Sequence, residues 1–405
     1  MKSVRVCFLI FLLFKTMCCE GCWKEEKKAL LGINSRFDDP SSWKVHTDCC
    51  EWEGVHCNPS TGRVAELYLD GPWKSTEQYI NYTDFTVFKD LKNLSLTLTY
   101  KNIVGCVGEL PNLQLLSFSY SKLDTAGSII SCLDGLPSLN VSQKLRSNLE
   151  VLDISWNHLT NEIVHSVEGF TSLKELYLAD NELDSDLDFQ GLCSKLRNLE
   201  VLDLSYNNCG QTDIGSVLSG LSFLKYLYLE KNELSWRSIY NISKLSSLEV
   251  LDLDFNDLNE SESILRRLKE NETFKWPTNL QHLDLSSTRL SNKSLSSSIS
   301  GLSHLKYLDL SYNQLQKTLD ISGHYMGRHC IDVVASGTTR TTTTPLFTVL
   351  PVLVPKKPPP FTADHHHFAP SPSRERKTHS PYAAHPSHRT TPSYRLSDHE
   401  SRSHR

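Results

Sequence analysis

From Leu149 to Leu315 the apolar positions of the chain keep a fixed rhythm. The segments are LEVLDISWNHL at 149, LKELYLADNEL at 173, LEVLDLSYNNC at 199, LKYLYLEKNEL at 224, LEVLDLDFNDL at 248, LQHLDLSSTRL at 280 and LKYLDLSYNQL at 305. Their starts lie 24, 26, 25, 24, 32 and 25 residues apart, on the template L-x-x-L-x-L-x-x-N-x-L. The alternation at positions four to six has the period of a strand: the leucines leave on one side and positions 3, 5 and 7 on the other. An amphipathic helical array would need a 3.6-residue period, which this pattern lacks. One unit cannot bury its own leucines, whereas stacked units can, so the pattern predicts a parallel sheet backed by a leucine core.

The ninth position holds Asn157, Asn181, Asn207, Asn232, Asn256 and Asn313, with Thr288 the one exception. It follows the strand, where backbone amides lose their ladder partners, and a side-chain amide there can bridge neighbouring coils. A weaker turn is expected at Thr288, and an extra loop in the 32-residue interval before it. This is the template of a leucine-rich repeat, and the fold class it implies is an α/β solenoid, a right-handed superhelix with a parallel concave sheet. Upstream, GRVAELYLD supplies a first strand with Val64, Leu67 and Leu69. Two irregular units follow, LSLTLTYKNIVG with Leu96 at the fourth position and LQLLSFSYSKL with Leu116 there.

At the N-terminus Lys2 and Arg5 precede the apolar run Val6–Phe14, which is too short to span a bilayer and has the form of a secretory signal peptide, with a retained signal anchor as the alternative. Cleavage is expected near residue 20, which places the chain in the secretory pathway and the extracellular space. Sequons at Asn81, Asn93, Asn140, Asn241, Asn259, Asn271 and Asn292 agree with glycosylation there. Residues 21–62 carry an amphipathic helix, with Ala29, Leu30, Ile33 and Phe37 at helical spacing, and the cysteines Cys22, Cys49, Cys50 and Cys57. In an oxidising compartment these read as two disulfides, with zinc as the competing reading that adjacent cysteines fit poorly. A helix and two bridges would cover the open end of the leucine core. Cys193 and Cys209 read as core packing or as a further pair, and nothing decides whether Cys106 and Cys132 pair.

Two patterns now converge: C-x-x-x-E-x-x-A-L-L from Cys22 to Leu31 with Trp43, and C-C-x-W-x-G-V-x-C from Cys49 to Cys57. They resemble the N-terminal cap of plant extracellular leucine-rich-repeat proteins, a group of receptor-like proteins, receptor kinases and polygalacturonase inhibitors. The resemblance covers about residues 1–320 and implies the pairs Cys22 with Cys49 and Cys50 with Cys57. It further implies repeats over 63–320, about ten in number, and, in full-length relatives, a plasma-membrane anchor and partner kinases acting as co-receptors.

Charge sharpens the picture. The chain is net −5; residues 321–405 hold 11 Lys+Arg against 5 Asp+Glu, which is +6, so the remainder is −11. An acidic array does not suit nucleic acid and favours polar or basic ligands. The last 85 residues hold 11 of 17 prolines and 10 of 16 histidines, and read as a disordered tail. Within it Leu346–Val354 is too short to span a membrane, and His365, His366 and His367 read as solvated rather than as a metal site. The abrupt shift near residue 320 is read as truncation of, or read-through from, a longer receptor gene.

Nucleophile elbow, zinc-protease, phosphate-loop, dinucleotide and kinase signatures are all missing from the sequence, so neither enzyme chemistry, nor a metal, nor a cofactor is expected. The repeated Asp-Leu-Ser is strand consensus, since Asp153, Asp203, Asp252, Asp284 and Asp309 share the fifth position. Departures from it, Tyr177, Ala179 and Asp180 and then Tyr226, Tyr228, Glu230 and Lys231, mark a candidate peptide or protein site on the concave face, to which Trp156, Tyr206, Asp254, Phe255 and Tyr312 add an aromatic and acidic rim. Aromatic anchors next to carboxylates are what a peptide epitope requires, the alternative being a solvated face without a ligand. Two functions follow from the resemblance: a ligand-sensing receptor ectodomain, or a secreted inhibitor of microbial cell-wall-degrading glycosidases. The chain lacks the G-x-I-P repeats and C-terminal cysteine cap of the inhibitors, which favours the first.

Overall fold

The cap begins where charge and apolar spacing fit a helix, α1 (Lys24–Asn34), which turns Glu26, Leu30 and Ile33 inward and has Glu25 and Glu26 in its first turn. Acidic residues there suit the positive end of the helix dipole. In this computed structural model the described residues are 22–37, 43–69, 79–97, 102–104, 110, 112–120, 147–167, 169–259, 274–291, 302–315 and 332–334. The expected signal peptide, the cysteines Cys106 and Cys132, and nearly all of the expected tail lie outside them. All described residues belong to one of two units, residues 1–363, and residues 364–405 form the other.

The disulfides are Cys22–Cys49 and Cys50–Cys57, with Cα separations of 5.6 and 5.5 Å. Asp48 ties them together, its Oδ1 accepting the N–H groups of Cys22 at 2.9 Å and Cys50 at 3.0 Å. Behind them Trp43 and Trp52 stack at 5.0 Å. The buried Glu26 joins cap to sheet: it accepts from Val64 N–H at 2.9 Å and from Arg63 at 3.1 Å, and burial raises its pKa. β1 (Val55–Cys57) then runs antiparallel to β2 (Val64–Leu69) and closes the edge of the sheet. Gly54 makes this possible, with φ at +74° and a virtual Cβ only 2.1 Å from Tyr68 O.

From β2 onward every pairing in the main sheet is parallel. The strands are β4 (Asn93–Leu96), β6 (Leu115–Ser117), β7 (Val151–Asp153), β8 (Glu175–Tyr177), β9 (Val201–Asp203), β10 (Tyr226–Tyr228), β11 (Val250–Asp252), β12 (His282–Asp284), β13 (Tyr307–Asp309) and β14 (Asp332–Val334). They follow one another in space as in sequence, which is the topology of a solenoid. A separate pair, β3 (Tyr79–Asn81) with β5 (Asn102–Val104), lies outside the main sheet.

One leucine per strand, at Leu67, Leu94, Leu116, Leu152, Leu176, Leu202, Leu227, Leu251, Leu283 and Leu308, is at most 1% exposed. Strand register lines these up as one column. In the first irregular unit the column residue is Leu94, paired with Leu67, and not the Leu96 expected from the sequence; Leu96 pairs with Leu69. The reason is the period: a slip of two residues keeps the same side chains inward, so alternation alone cannot fix it. β14 pairs with β13 in continuous register, Leu308 opposite Val333, so the sheet runs past the boundary drawn at residue 320.

Short helices close the convex side: α2 (Ile163–Val167), α3 (Phe189–Lys195), α4 (Ile214–Val217) and α5 (Trp236–Ile239). Asp188 and Asp213 cap two of them, accepting from the N–H of Gly191 and Ser216. After the extended interval before β12, Phe274 and Trp276 pack on Trp236, with ring centroids 5.1 and 6.3 Å away. Cys193 and Cys209 are both buried and unpaired, and burial pushes each thiol up to about 12.

Candidate ligand-binding face

The template positions divide the labour of building this face. At the fifth position each aspartate finishes its strand: Oδ1 of Asp153, Asp203, Asp252, Asp284 and Asp309 accepts the N–H two residues on, at 2.8–3.0 Å. The eighth position then turns the chain in the left-handed region, with φ between 49° and 59° at Tyr120, Trp156, Asp180, Tyr206, Lys231, Phe255, Ser287 and Tyr312. That conformation is uncommon for large residues and swings them to the rim of the sheet. At the ninth position the asparagine amide holds the turn. Asn207 Nδ2 donates to Leu178 O of the preceding coil at 3.0 Å and to Leu204 O and Ser205 O of its own, while its Oδ1 accepts from Leu183 N.

Sequence and structure agree that Tyr177, Tyr226 and Tyr228 lie on the outward side of their strands, but the surface they offer differs from the expected one. Tyr177 and Tyr228 are 3% and 5% exposed, because they pack with Val201 into a second, small hydrophobic cluster flanked by Val151, Tyr226 and Val250. Neighbouring strands lie about 4.8 Å apart, so large residues on adjacent coils shield one another. The centre of the face is therefore a sealed floor. The Tyr177 hydroxyl donates to Glu175 at 2.8 Å, and the phenols of Tyr177, Tyr228 and Tyr307 are pushed above their usual pKa by burial and then by nearby carboxylates.

The rim is open. Trp156 is 38% exposed, Phe255 58% and Tyr312 68%. Tyr120, which the sequence argument did not single out, is 47% exposed and stacks on Trp156 at 4.9 Å with 9° between planes. Its signal was the same eighth-position spacing, obscured by the irregular unit around it. Trp156 leans over the Asp180 coil to reach Tyr206 at 6.1 Å. Tyr206 donates to Glu230, and the Lys231 ammonium sits 5.1 Å from the Tyr206 ring centroid. Tyr120, Trp156, Tyr206, Glu230 and Lys231 thus form one connected ridge, Asp180 and Phe255 hold the same turn position on neighbouring coils with Asp254 beside Phe255, and Tyr177 and Tyr228 form the packing beneath.

Carboxylates concentrate toward the C-terminal coils. Register sets Asp252, Asp284 and Asp309 side by side. Burial and then the Asp284 charge push Asp252 up to about 8; burial and then the charges of Asp309 and Asp254 push Asp284 up to about 6. Asp254 is also raised, chiefly by burial.

The opposite edge has a different character. The second template position alternates in charge, and Lys174 bonds Glu150 and Lys225 bonds Glu200, each at 2.8 Å. A groove of about 390 Å³ runs along this edge, past Gln114, Glu150, Lys174, Glu200 and the exposed Phe223.

Of the seven sequons, Asn140, Asn271 and Asn292 lie outside the described residues, and for Asn81 only the strand is described. Asn259 is exposed, Asn241 donates to Asp213 at 2.7 Å on the convex side, and Asn93 donates to the Tyr68 hydroxyl at 3.4 Å from within β4.

Comparison with known proteins agrees with this architecture. Residues 24–58 match the model of a leucine rich repeat N-terminal domain, residues 171–215 that of leucine rich repeats in two copies, and residues 147–166, 277–297 and 301–318 that of a single leucine rich repeat. The chain is similar to Cuscuta receptor 1 of Solanum lycopersicum, 30% identical over 255 residues, which cover 58% of this chain and 22% of that protein. It is also similar to Receptor like protein 21 of Arabidopsis thaliana, 29% identical over 242 residues covering 56% and 22%. The chain therefore spans about a fifth of the length of the curated relatives it matches. Among solved structures, the leucine-rich-repeat ectodomain of the Arabidopsis receptor kinase HAESA, in complex with an N-terminal extended IDA peptide hormone, shares the fold. The TM-score is 0.50 and the identity 24%, over 77% of this chain and 49% of that one.

Proposed function

We propose that this leucine-rich-repeat chain, with a cap and repeats similar to those of plant receptor-like proteins, recognises a peptide or protein signal outside the cell and has no catalytic role of its own. The observation that carries the reading is the row of aromatic and carboxylate side chains from Tyr120 to Phe255, in contact from Tyr120 to Lys231 and set by the same backbone turn in each coil. Aromatic rings anchor ligands at low entropic cost, and carboxylates beside them give direction.

In this reading the ligand lies along the concave side, a glycan on Asn241 points away from it on the convex side, and a partner kinase at the plasma membrane would serve as co-receptor for a full-length relative. Cell-surface signalling in development or defence is the corresponding biological role. The test is to immobilise the glycosylated full chain and screen it against a secreted-peptide library. Saturable binding of at least one peptide, competed by the same peptide in solution, is the expected result. Dose-dependent inhibition of a fungal polygalacturonase, with no peptide bound, would replace this reading with that of a secreted glycosidase inhibitor.

A further inference from the structure

We propose that the ligand is engaged at the rim and not on the floor of the sheet, and that it is an extended peptide whose arginine or lysine side chains lie against the ridge of Tyr120, Trp156 and Tyr206. The proposal rests on the ligand-recognition reading above and specifies its surface and its chemistry.

Three observations carry it. First, the floor is filled: Tyr177, Val201 and Tyr228 are packed against one another, so a ligand gains little apolar contact there. Second, the rim is aromatic and open, with Tyr120 stacked on Trp156 and Tyr206 tilted 35° to Trp156 at 6.1 Å across the Asp180 coil. Third, the ionisable groups around it are acidic with a single exception, Lys231. Asp180, Glu230 and Asp254 sit on or beside the ridge. Lys231 is the one lysine or arginine among template positions 3, 5, 7 and 8 between Leu115 and Tyr312.

Lys231 shows what the ridge accepts. Among the described residues it makes no ion pair within 4.0 Å, and its ammonium rests over the Tyr206 ring at 5.1 Å. A cation over an aromatic face is attracted by the ring quadrupole, more strongly as water is excluded. Lys231 therefore holds the position that a ligand's own cation would take, and competes with it. From Tyr120 to Phe255 the ridge crosses five strand intervals, about 24 Å, which matches about seven residues of extended chain.

The experiment uses the full chain and three synthetic heptapeptides of glycine and serine: one with two arginines, one with two citrullines in their place, and one with two glutamates. Calorimetry at low salt should give saturable binding of the arginine peptide, about tenfold or more tighter than the citrulline peptide, and none of the glutamate peptide. Trp156→Ala should weaken the arginine peptide about fivefold to tenfold, and Lys231→Ala should tighten it. Glu150→Gln with Glu200→Gln, on the opposite edge, should leave it within about twofold. Unchanged thermal melting in Trp156→Ala keeps a loss of binding from being a loss of fold.

Equal binding of the arginine and citrulline peptides would overturn the proposal. So would weaker binding in Lys231→Ala, or an equal loss in the opposite-edge variant. A loss that follows Glu175→Gln and Asp203→Asn but not Trp156→Ala would move the site to the floor and leave the receptor reading standing. Failure of all three peptides would reject the chemistry proposed here, while the library screen decides the receptor reading separately. Two further occupants would also overturn it: a dimer of this chain abolished by Trp156→Ala, or cellohexaose binding abolished by that substitution.

Discussion

The ninth-position residue shows how much a single side chain decides. An amide offers two hydrogens and a carbonyl oxygen, and Asn207 uses them to join two coils and its own turn. Thr288 has one hydroxyl hydrogen and gives it to Leu285 O of its own coil at 2.6 Å. The Leu258 N–H, which elsewhere would meet an asparagine Oδ1, finds the Thr288 backbone carbonyl at 3.0 Å instead. The turn survives, with the backbone replacing the missing oxygen and no second side-chain hydrogen for the preceding coil. Asn207→Ala should therefore cost about 2–4 kcal/mol, since it leaves buried carbonyls and an N–H without partners. Thr288→Asn should gain about 0.5–1.5 kcal/mol by restoring the second donor. Urea midpoints measure both, and a stabilised Asn207→Ala would refute the account. The asparagine column was legible in the sequence because its spacing is fixed; the backbone substitution at Thr288 was not, because it depends on where a neighbouring coil's amide points.

The fifth-position aspartates make a second prediction at this scale. An unfolded aspartate titrates near about 3.9, while Asp252 is pushed up to about 8 and Asp284 to about 6. Between those values the folded chain holds protons that the unfolded chain has released, so stability is greatest at the acidic end and falls as pH rises from about 4 to about 8. Asp252→Asn keeps an oxygen for the Asp254 N–H and removes one titrating group. Its melting temperature should fall less than that of the wild type between about pH 5 and about pH 8, as calorimetric scans across that range would reveal. A wild-type melting temperature that rises over the range would reverse the sign and exclude the explanation.

At the scale of elements, strands were easier to read than their register or the space between coils. The regular units carry leucine, aspartate and asparagine at three different spacings, which together admit one register. The unit around Leu94 and Leu96 offers alternating leucines alone, and a shift by two is invisible to alternation. Tyr177 and Tyr228 were placed on the right side of their strands, yet their burial comes from side chains on adjacent coils, which no single repeat reveals. Glycines test the inter-coil spacing directly. A Cβ on Gly215 in α4 would lie 2.0 Å from the Asn241 carbonyl carbon and 2.3 Å from Ile242 N, both backbone atoms of the next coil. Gly215→Ala should therefore cost about 2–3 kcal/mol or more. Gly32→Ala in α1 meets nothing within 4 Å and should gain about 0.5–1 kcal/mol from the lower entropy of the unfolded chain. Paired melts of the two variants would show opposite shifts, and shifts of the same sign would mean that coil spacing is softer than the geometry requires.

For the whole molecule, what matters is that a solenoid adds up small repeated terms. A single eighth-position aromatic is a surface residue of no consequence; Tyr120 and Trp156 on adjacent coils, and Tyr206 one coil beyond Asp180, form a continuous surface because one backbone turn recurs with nearly the same φ. Charge accumulates in the same way, with residues 321–405 at +6 and the remainder at −11 for a total of −5. Such a field acts over a distance set by salt: the screening length falls from about 30 Å at about 0.01 M to about 8 Å at about 0.15 M. If the acidic array steers a basic peptide toward the ridge, raising salt across that range should slow association by about tenfold or more. Dissociation should change far less, because once bound the peptide is held by ring contacts that salt does not screen. Stopped-flow measurements of the arginine heptapeptide separate the two rates. A salt effect confined to dissociation would mean that the carboxylates act as direct contacts in the bound state, and that the long-range charge of the coils has no part in bringing the ligand in.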